Sequence, residues 1–254
     1  MAFITIEFLS EVLGRQTSID VIIPQRRTNG EIGIANNAKT EKYKTLVLLH
    51  GLSDNSRIWL RRTSIDRYAT EKGIAVIMPS GDRSFYANMR HGDRFSDFIG
   101  KEVLAVAREY LPLSEKREDT FIAGNSMGGY GAMKTALKFP ETFVAAAGLS
   151  SVADVDKFMK ERTPELGKVI FGDVEKVPDS EDLFALTTAN ESNPLRPKLY
   201  MIEGTGDFML EENRRLQAHI KMLDYDFTYE EYEGIHDWWF WDTYIQKVLN
   251  WMFD

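Results

Sequence analysis

Residues 120–138 read TFIAGNSMGGYGAMKTALK, with strand-like, turn-like and helical patterns in succession. Thr120 to Ala123 is a short apolar run, which is typical of a strand buried on both faces. Gly124-Asn125-Ser126-Met127-Gly128 follows and matches G-x-S-x-G. Met127 to Lys138 then predicts a helix that ends before Pro140. This order predicts a sharp turn that exposes a serine at the top of a sheet.

Apolar and amphipathic segments alternate along the rest of the chain. The other predicted strands are Phe3 to Phe8, Thr17 to Ile23, Thr45 to Leu49, Ala75 to Met78, Val144 to Leu149, Leu199 to Ile202 and Phe227 to Tyr232. The other predicted helices are Phe95 to Tyr110, Leu210 to Leu223 and Trp238 to Phe253. The alternation predicts a mostly parallel, doubly wound α/β sheet with helices on both faces. We expect the first two strands to pair antiparallel at one edge.

Two segments interrupt the alternation. Gln25 to Glu41 is polar and contains Gly30 and Gly33, so we predict a loop or loose hairpin there. Val152 to Pro197 is rich in charge and proline and contains no strong strand pattern. We interpret it as a small, partly helical insertion over the C-terminal edge of the sheet, where it would cap the active site. No linker suggests a second domain, so a single domain is predicted over residues 1–254.

Composition excludes several functional classes. The chain has 254 residues, 43% of them hydrophobic, and a net charge of -8. We find no basic face, so we expect neither nucleic acid nor membrane as a partner. The absence of cysteine excludes a disulfide, a thiolate metal site and a cysteine nucleophile. Residues 1–10 lack signal-peptide features and no apolar run approaches ~18 residues, so we expect a cytoplasmic protein.

Ser126 is the candidate nucleophile. A tight turn needs small residues two positions before and two positions after the serine, and Gly124 and Gly128 meet this need. The serine would then lie near the positive end of the following helix. The alternative is a serine that only caps this helix.

The candidate general base is one of four histidines, His50, His91, His219 and His236. Where a serine at such a turn is the nucleophile, the acid and then the histidine follow it in the chain. His50 and His91 precede Ser126, so this order disfavours them. His219 lies within a predicted helix, where a packing or surface role is common. His236 lies in a loop before the last helix, so it is the predicted base, with structural packing among tryptophans as the alternative.

The candidate acid should follow the strand before that region. Asp207 ends Gly204-Thr205-Gly206-Asp207, directly after the predicted strand, and its role would be to orient the histidine. Glu203 and Asp224 are competitors, and a capping role for Asp207 is the alternative.

Two backbone amides are predicted to form an oxyanion hole. One donor follows the nucleophile and belongs to Met127. The other is expected in the loop after an earlier strand. His50-Gly51-Leu52 directly follows the predicted strand Thr45 to Leu49, so the Leu52 amide is the predicted second donor. His50 itself is interpreted as a residue that shapes this loop.

Four blocks of this sequence together resemble the bacterial tributyrin esterases. They are TLVLLHGLSDNSRIWLRRTSIDR, KREDTFIAGNSMGGYGAMKTAL, GTGDFMLEENRRL and HDWWFWD. These esterases belong to the wider esterase D or S-formylglutathione hydrolase group of α/β-hydrolases, and the likeness covers nearly the whole chain. The resemblance implies a serine carboxylesterase for short acyl esters, without cofactor or metal. It assigns the nucleophile to Ser126, the acid to Asp207, the base to His236, and the oxyanion donors to Leu52 and Met127.

Three other functions remain open at this stage. Related enzymes hydrolyse the thioester S-formylglutathione, and others release acetyl or feruloyl groups from plant polysaccharides. A non-catalytic α/β-hydrolase binding module is the third alternative. We expect a small-molecule ester as the partner. Assembly into a homo-oligomer also remains open.

Aromatic residues beside the predicted catalytic loops suggest an apolar acyl pocket. The candidate substrate-binding residues are Trp59, Tyr86, Phe208, Met209 and Trp238. The alternative for the aromatic run from Trp238 to Trp241 is core packing.

Overall fold

Eight strands form one continuous sheet in the computed structural model, which describes residues 1–25, 32–35, 37 and 42–254. They are β1 (Ala2–Ser10), β2 (Arg15–Ile23), β3 (Thr45–Leu49), β4 (Ala75–Pro79), β5 (Thr120–Asn125), β6 (Ala145–Leu149), β7 (Lys198–Gly204) and β8 (Phe227–Tyr232). Their order across the sheet is β1-β2-β4-β3-β5-β6-β7-β8. The chain therefore winds outward in both directions from β3, as in other doubly wound sheets.

Strand direction confirms the predicted α/β-hydrolase fold. β1 pairs antiparallel with β2 from Ala2–Ile23 to Ser10–Arg15, which confirms the expected edge pair. β2 also runs antiparallel to β4. Every other neighbouring pair is parallel. The carboxyl ends of β3 to β8 therefore lie along the same edge of the sheet.

Helices cover both faces of this sheet. In chain order they are α1 (Ile58–Arg62), α2 (Ile65–Lys72), α3 (Phe95–Asp97), α4 (Val103–Tyr110), α5 (Met127–Lys138), α6 (Val155–Arg162), α7 (Pro164–Phe171), α8 (Leu183–Asn190), α9 (Leu210–Ile220) and α10 (Trp238–Phe253). Among the described residues, no helix has both the length and the apolar character needed to cross a membrane.

Alternating strand residues supply two hydrophobic clusters. Val47 and Leu49 of β3 pack in the cluster under α4, α5 and α9. Leu46 and Leu48 of the same strand pack in the cluster under α2 and α10. Since successive side chains point to opposite faces, a five-residue apolar strand can serve both layers.

Local details differ from the sequence-based prediction. The predicted helix Phe95 to Tyr110 contains a π-helical turn at Phe98–Glu102 between α3 and α4. α9 ends at Ile220 rather than Leu223. α1 and α2 were not predicted, because five and eight residues give a weak 3.6-residue pattern. Most of the predicted loop Gln25 to Glu41 lies outside the described residues.

The segment from Val152 to Pro197 contains α6, α7 and α8 between β6 and β7. We call it the insertion. Glu181, within it, accepts hydrogen bonds from the buried Lys134 and from Lys138 of α5 at 2.5 and 2.7 Å. The Tyr130 hydroxyl of α5 also donates to the Glu181 carbonyl at 2.6 Å. The insertion is therefore joined to the helix that follows Ser126 by a buried polar cluster.

Candidate active site

Ser126 lies in a strained turn between β5 and α5. Its backbone has φ +55° and ψ -119°, a positive φ that a side-chain-bearing residue rarely adopts. Such conformations cost roughly 1–3 kcal/mol and persist where surrounding structure enforces them. Here the Ser126 N–H donates to the Leu149 carbonyl of β6 at 2.9 Å. The next strand therefore helps to hold the turn.

Gly124 and Gly128 make the turn possible through close approach. A Cβ on Gly124 would lie 2.5 Å from the Gly128 carbonyl oxygen, and one on Gly128 would lie 2.5 Å from the Leu49 carbonyl oxygen. Both contacts are with backbone atoms, so a side chain at either position would displace the chain. The spacing in the motif thus reflects sterics between β3, β5 and α5.

The three residues predicted to act together form one hydrogen-bonded line. Ser126 Oγ is 3.0 Å from His236 Nε2. His236 Nδ1 is 2.7 Å from Asp207 Oδ2. With an acidic acceptor on Nδ1, the neutral ring carries its proton there, and Nε2 is free to accept the Ser126 proton. The fold brings these side chains within hydrogen-bonding distance, although His236 lies 29 positions after Asp207 and 110 after Ser126.

Asp207 is held as a buried carboxylate. Its side chain has no exposed surface, and its second oxygen accepts the Met209 N–H at 3.0 Å. Burial raises the pKa of Asp207, but His236, the Met209 amide and the Ser150 hydroxyl together outweigh burial, and the pKa ends below its ordinary value of 3.8. Asp207 therefore remains an acceptor for His236 at neutral pH.

The loop after β3 approaches Ser126. A Cβ on Gly51 would lie 3.8 Å from Ser126 Cβ, which puts the Gly51–Leu52 peptide beside the serine. Met127 is the first residue of α5, where the helix supplies no carbonyl for the amide N–H. The two amides predicted as oxyanion donors thus lie on segments that flank Ser126.

The His50 side chain braces this loop. Its Nδ1 is 2.7 Å from the Gly51 carbonyl oxygen, and its Nε2 accepts the Gly81 N–H at 2.9 Å. One bond needs a protonated nitrogen and the other a lone pair, so the ring is neutral. Burial lowers the pKa of His50 below 6.5, against the opposing hydrogen bond to Gly51. His50 shapes the loop as predicted and lies outside the hydrogen-bonded line.

The structure corrects two of the substrate-binding predictions. The Trp59 side chain is fully buried, and its Nε1 donates to the Leu49 carbonyl at 3.0 Å. The Tyr86 side chain is also fully buried, and its hydroxyl donates to the His50 carbonyl at 2.8 Å. Both rings pack in the core against the carboxyl end of β3 and present no surface to a ligand. Their proximity along the sequence to catalytic loops did not reveal this burial.

The other aromatic candidates differ in exposure. Phe208 is 49% exposed, and its ring centroid lies 4.8 Å from that of His236. Trp238 is partly buried and packs edge-on against Trp59 at 5.1 Å. Met209 is buried at the start of α9. Of this set, Phe208 has the surface needed to meet a substrate beside His236.

One cation of the insertion reaches this region. The Arg162 guanidinium carbon lies 4.3 Å from the Phe208 ring centroid, in cation–π geometry. Arg162 is solvent-exposed, and no carboxylate of the described residues forms an ion pair with it. A nearby cleft of about 10 Å³ is lined by both residues. The sequence alone offered no signal for this contact, because it depends on how α6 packs.

Another cavity of the insertion lies away from this region. It measures about 350 Å³ and is lined by α6, α7 and the segment after α7, including Met159, Phe171 and Val177. None of the three residues in the hydrogen-bonded line borders it. Among the residues that the structure describes, no cluster of three or more histidine and acidic side chains is arranged to bind a metal ion.

Ser150 is a further residue of the site that sequence reasoning missed. It follows β6 with φ +47°, and its hydroxyl accepts the Trp241 indole N–H at 3.2 Å. It also lowers the pKa of Asp207. A single serine after a strand carries no sequence pattern that would reveal either contact.

Comparison with known proteins identifies the family. Residues 10–252 match the model of a family described as putative esterase. The chain belongs to this family, in the esterase D and S-formylglutathione hydrolase group of α/β-hydrolases, and is a serine-type carboxylic ester hydrolase. Together with the enzymes among its relatives at 34–36% identity, this membership argues against a non-catalytic binding module.

Three particular relatives cover nearly the whole chain. An acetyl esterase from Caldicellulosiruptor saccharolyticus is 36% identical over 263 residues, which include 99% of this chain and 98% of that protein. The substrate-bound structure of FphF, a fluorophosphonate-binding serine hydrolase of Staphylococcus aureus, is 34% identical with a TM-score of 0.90, covering 100% and 98% of the two chains. The S-formylglutathione hydrolase FrmB, also from Staphylococcus aureus, is 34% identical with a TM-score of 0.86, covering 100% and 99%.

Proposed function

We propose that this enzyme hydrolyses short-chain acyl esters, from acetyl to butyryl, through a Ser126-His236-Asp207 triad. The observation that carries the proposal is the continuous line of hydrogen bonds from Asp207 through His236 to Ser126. The acetyl esterase at 36% identity supports the acetyl end of this range. The substrate is a small-molecule ester, and this chemistry needs no cofactor.

The geometry supports an acyl-enzyme mechanism. His236 Nε2 takes the Ser126 proton as Oγ attacks the ester carbonyl, and the protonated ring then gives that proton to the departing alcohol. Water next attacks the acyl-enzyme, loses a proton to His236, and releases the carboxylic acid as Ser126 recovers its proton. Asp207 stabilises the imidazolium in both halves without accepting the proton.

The oxyanion would be bound by the Leu52 and Met127 amides. Both flank Ser126, and α5 adds the positive end of its dipole. Loss of one such donor costs on the order of 3 kcal/mol in transition-state stabilisation. Since backbone atoms do this work, the donors are tested through residues that hold the loop.

Two variants and one control test the triad on p-nitrophenyl acetate and butyrate. Ser126→Ala should abolish turnover and covalent labelling by a fluorophosphonate. Asp207→Asn should lower kcat by about 10⁴, because the amide no longer holds the required histidine tautomer. His219→Ala, a histidine change in α9 that spares the triad, should retain activity. Full hydrolysis by Ser126→Ala would refute the mechanism.

Acyl length requires a separate measurement. A series of p-nitrophenyl esters from acetyl to octanoyl should show kcat/KM highest at or below butyryl. A maximum at octanoyl would contradict the short-chain assignment while leaving the triad intact.

A second candidate function is S-formylglutathione hydrolysis. FrmB bears that name at 34% identity over the full chain. In addition, the exposed Arg162 beside Phe208 offers a cation to an anionic leaving group such as glutathione. A structurally similar ferulic acid esterase is 19% identical, so it supports only the fold.

The two functions are separated by one pair of substrates. We expect a higher kcat/KM on p-nitrophenyl acetate than on S-formylglutathione. A large excess on the thioester that Arg162→Gln reduces, with Arg61→Gln on the opposite layer as a control, would instead establish the second function.

A further inference from the structure

Glu203 is a buried carboxyl behind the triad that the mechanism above does not use. It is the penultimate residue of β7, four positions before Asp207, and has no exposed surface. Its neighbours Leu199 and Met201 at alternate positions of β7 pack in the cluster under α9. The Glu203 side chain therefore points into the same layer.

The surroundings of Glu203 provide no counter-charge. Neither carboxyl oxygen accepts a hydrogen bond from any donor among the described residues. On the adjacent strand, the register partner is Glu231, another acid. Arg214 of α9 already makes two 2.8 Å bonds to Glu231, and the Tyr229 hydroxyl also donates to it. The Arg214 cation and the Tyr229 hydroxyl thus already pair with Glu231 and not with Glu203.

An ionised Glu203 would therefore be an isolated charge in the interior. Burial of such a carboxylate is so unfavourable that the group takes a proton instead. Burial, followed by the negative charge of Asp207 and by hydrogen bonding with it, raises the pKa of Glu203 well above 4.5. Asp207 is the carboxylate that remains ionised, because His236 stabilises its charge. Two neighbouring acids with opposite protonation states are the expected result.

We propose that Glu203 is a positioning residue that acts as a neutral carboxylic acid whose O–H is directed at Asp207. This inference rests on the proposed triad. A proton donated toward Asp207 withdraws charge from that carboxylate. Asp207 then favours the protonated form of His236 less strongly than it would without this donor.

The test is the pH dependence of kcat/KM on p-nitrophenyl acetate for three variants. Glu203→Gln keeps an uncharged donor of similar shape, so its acidic midpoint should stay within about 0.2 pH units of wild type. Glu203→Met keeps the length without a donor, so its midpoint should move upward by roughly half a unit. Glu233→Gln removes an exposed carboxylate near His236 and should match wild type.

Each other pattern contradicts the proposal. If Glu203 were ionised, Glu203→Gln would remove a negative charge and move the midpoint to lower pH. If Glu203 only filled space, Glu203→Met would change the melting temperature and leave the midpoint where it is.

Infrared spectroscopy keeps the inference testable if Glu203→Met does not fold. Wild-type enzyme at pH 7 should show the C=O stretch of a buried protonated carboxyl, and Glu203→Gln should lack that band. Absence of the band in wild type would overturn the proposal. The band does not depend on turnover, so it tests this inference even if Ser126→Ala retains hydrolysis and the proposed triad is refuted.

Discussion

At the scale of single residues, His50 shows how a buried side chain can control a backbone donor. Its ring joins Gly51 in the loop after β3 to Gly81 in the loop after β4. Protonation would remove the lone pair that accepts the Gly81 N–H. Because burial lowers the pKa of His50, the brace persists as the solution becomes mildly acidic.

His50→Ala should therefore lower kcat while the triad remains complete. We expect a loss of tenfold or more, bounded by the ~10²–10³ that follows loss of an oxyanion donor, with a smaller change in KM. Steady-state kinetics on p-nitrophenyl acetate measure both. His91→Ala is the matched control, since His91 is exposed. Unchanged kcat in His50→Ala would show that the loop after β3 keeps its conformation without the hydrogen bonds of His50.

At the scale of elements, the insertion depends on its polar anchor to α5. Burial lowers the pKa of Lys134 to about 8, against the charge of Glu181. Burial raises the pKa of Glu181, but the charges and hydrogen bonds of Lys134 and Lys138 outweigh burial, and the pKa lies below 4.5. A carboxyl with a lower pKa in the folded state stabilises the fold above its unfolded pKa, and this contribution is lost as pH falls.

Glu181→Gln should lower the free energy of unfolding by on the order of 3 kcal/mol at pH 7, since it leaves Lys134 buried without its partner. The difference from wild type should shrink as pH falls below about 4.5. Urea unfolding at pH 7, 5 and 4 measures this. Asp179→Asn, which alters an exposed pair nearby, should have no measurable effect. A difference that is independent of pH would argue against an ionic anchor.

At the scale of the whole molecule, the N-terminal edge of the sheet is tied to the loop after β3. Asp20 of β2 is buried and accepts hydrogen bonds from Thr5 at 2.6 Å, Ser56 at 2.7 Å and Arg57 at 3.2 Å. Ser56 and Arg57 lie a few residues beyond Leu52. The antiparallel hairpin thus contributes to the support of the site.

Asp20→Ala should destabilise the protein by about 2 kcal/mol, because three donors lose their acceptor. It should also lower kcat several-fold through the loop that carries Leu52. Thermal unfolding and kinetics report the two effects. Glu7→Gln, an exposed change on the same hairpin, is the control. If Asp20→Ala lowered stability but left kcat unchanged, the hairpin would not contribute to the support of the site.

The local parts of this molecule were predictable from sequence. The apolar run of β5, the spacing of Gly124 and Gly128 and the start of α5 are patterns within a few residues. Parallel strands place their following loops along one edge of the sheet, so loop residues after β7 and β8 were expected to meet Ser126. The predicted positions of Asp207 and His236 follow from that topology.

Burial and pairing between distant segments were decided only by the tertiary structure. Aromatic residues beside catalytic loops looked alike in sequence, yet Tyr86 is enclosed and Phe208 is half exposed. Arg162 meets Phe208 only because α6 packs beside the start of α9. Glu203 resembled a rival acid in sequence, but the structure shows it buried without a hydrogen-bond donor. Sequence determined which chemical groups lie at the sheet edge, and packing determined their exposure and charge, because both depend on neighbours that the chain order does not reveal.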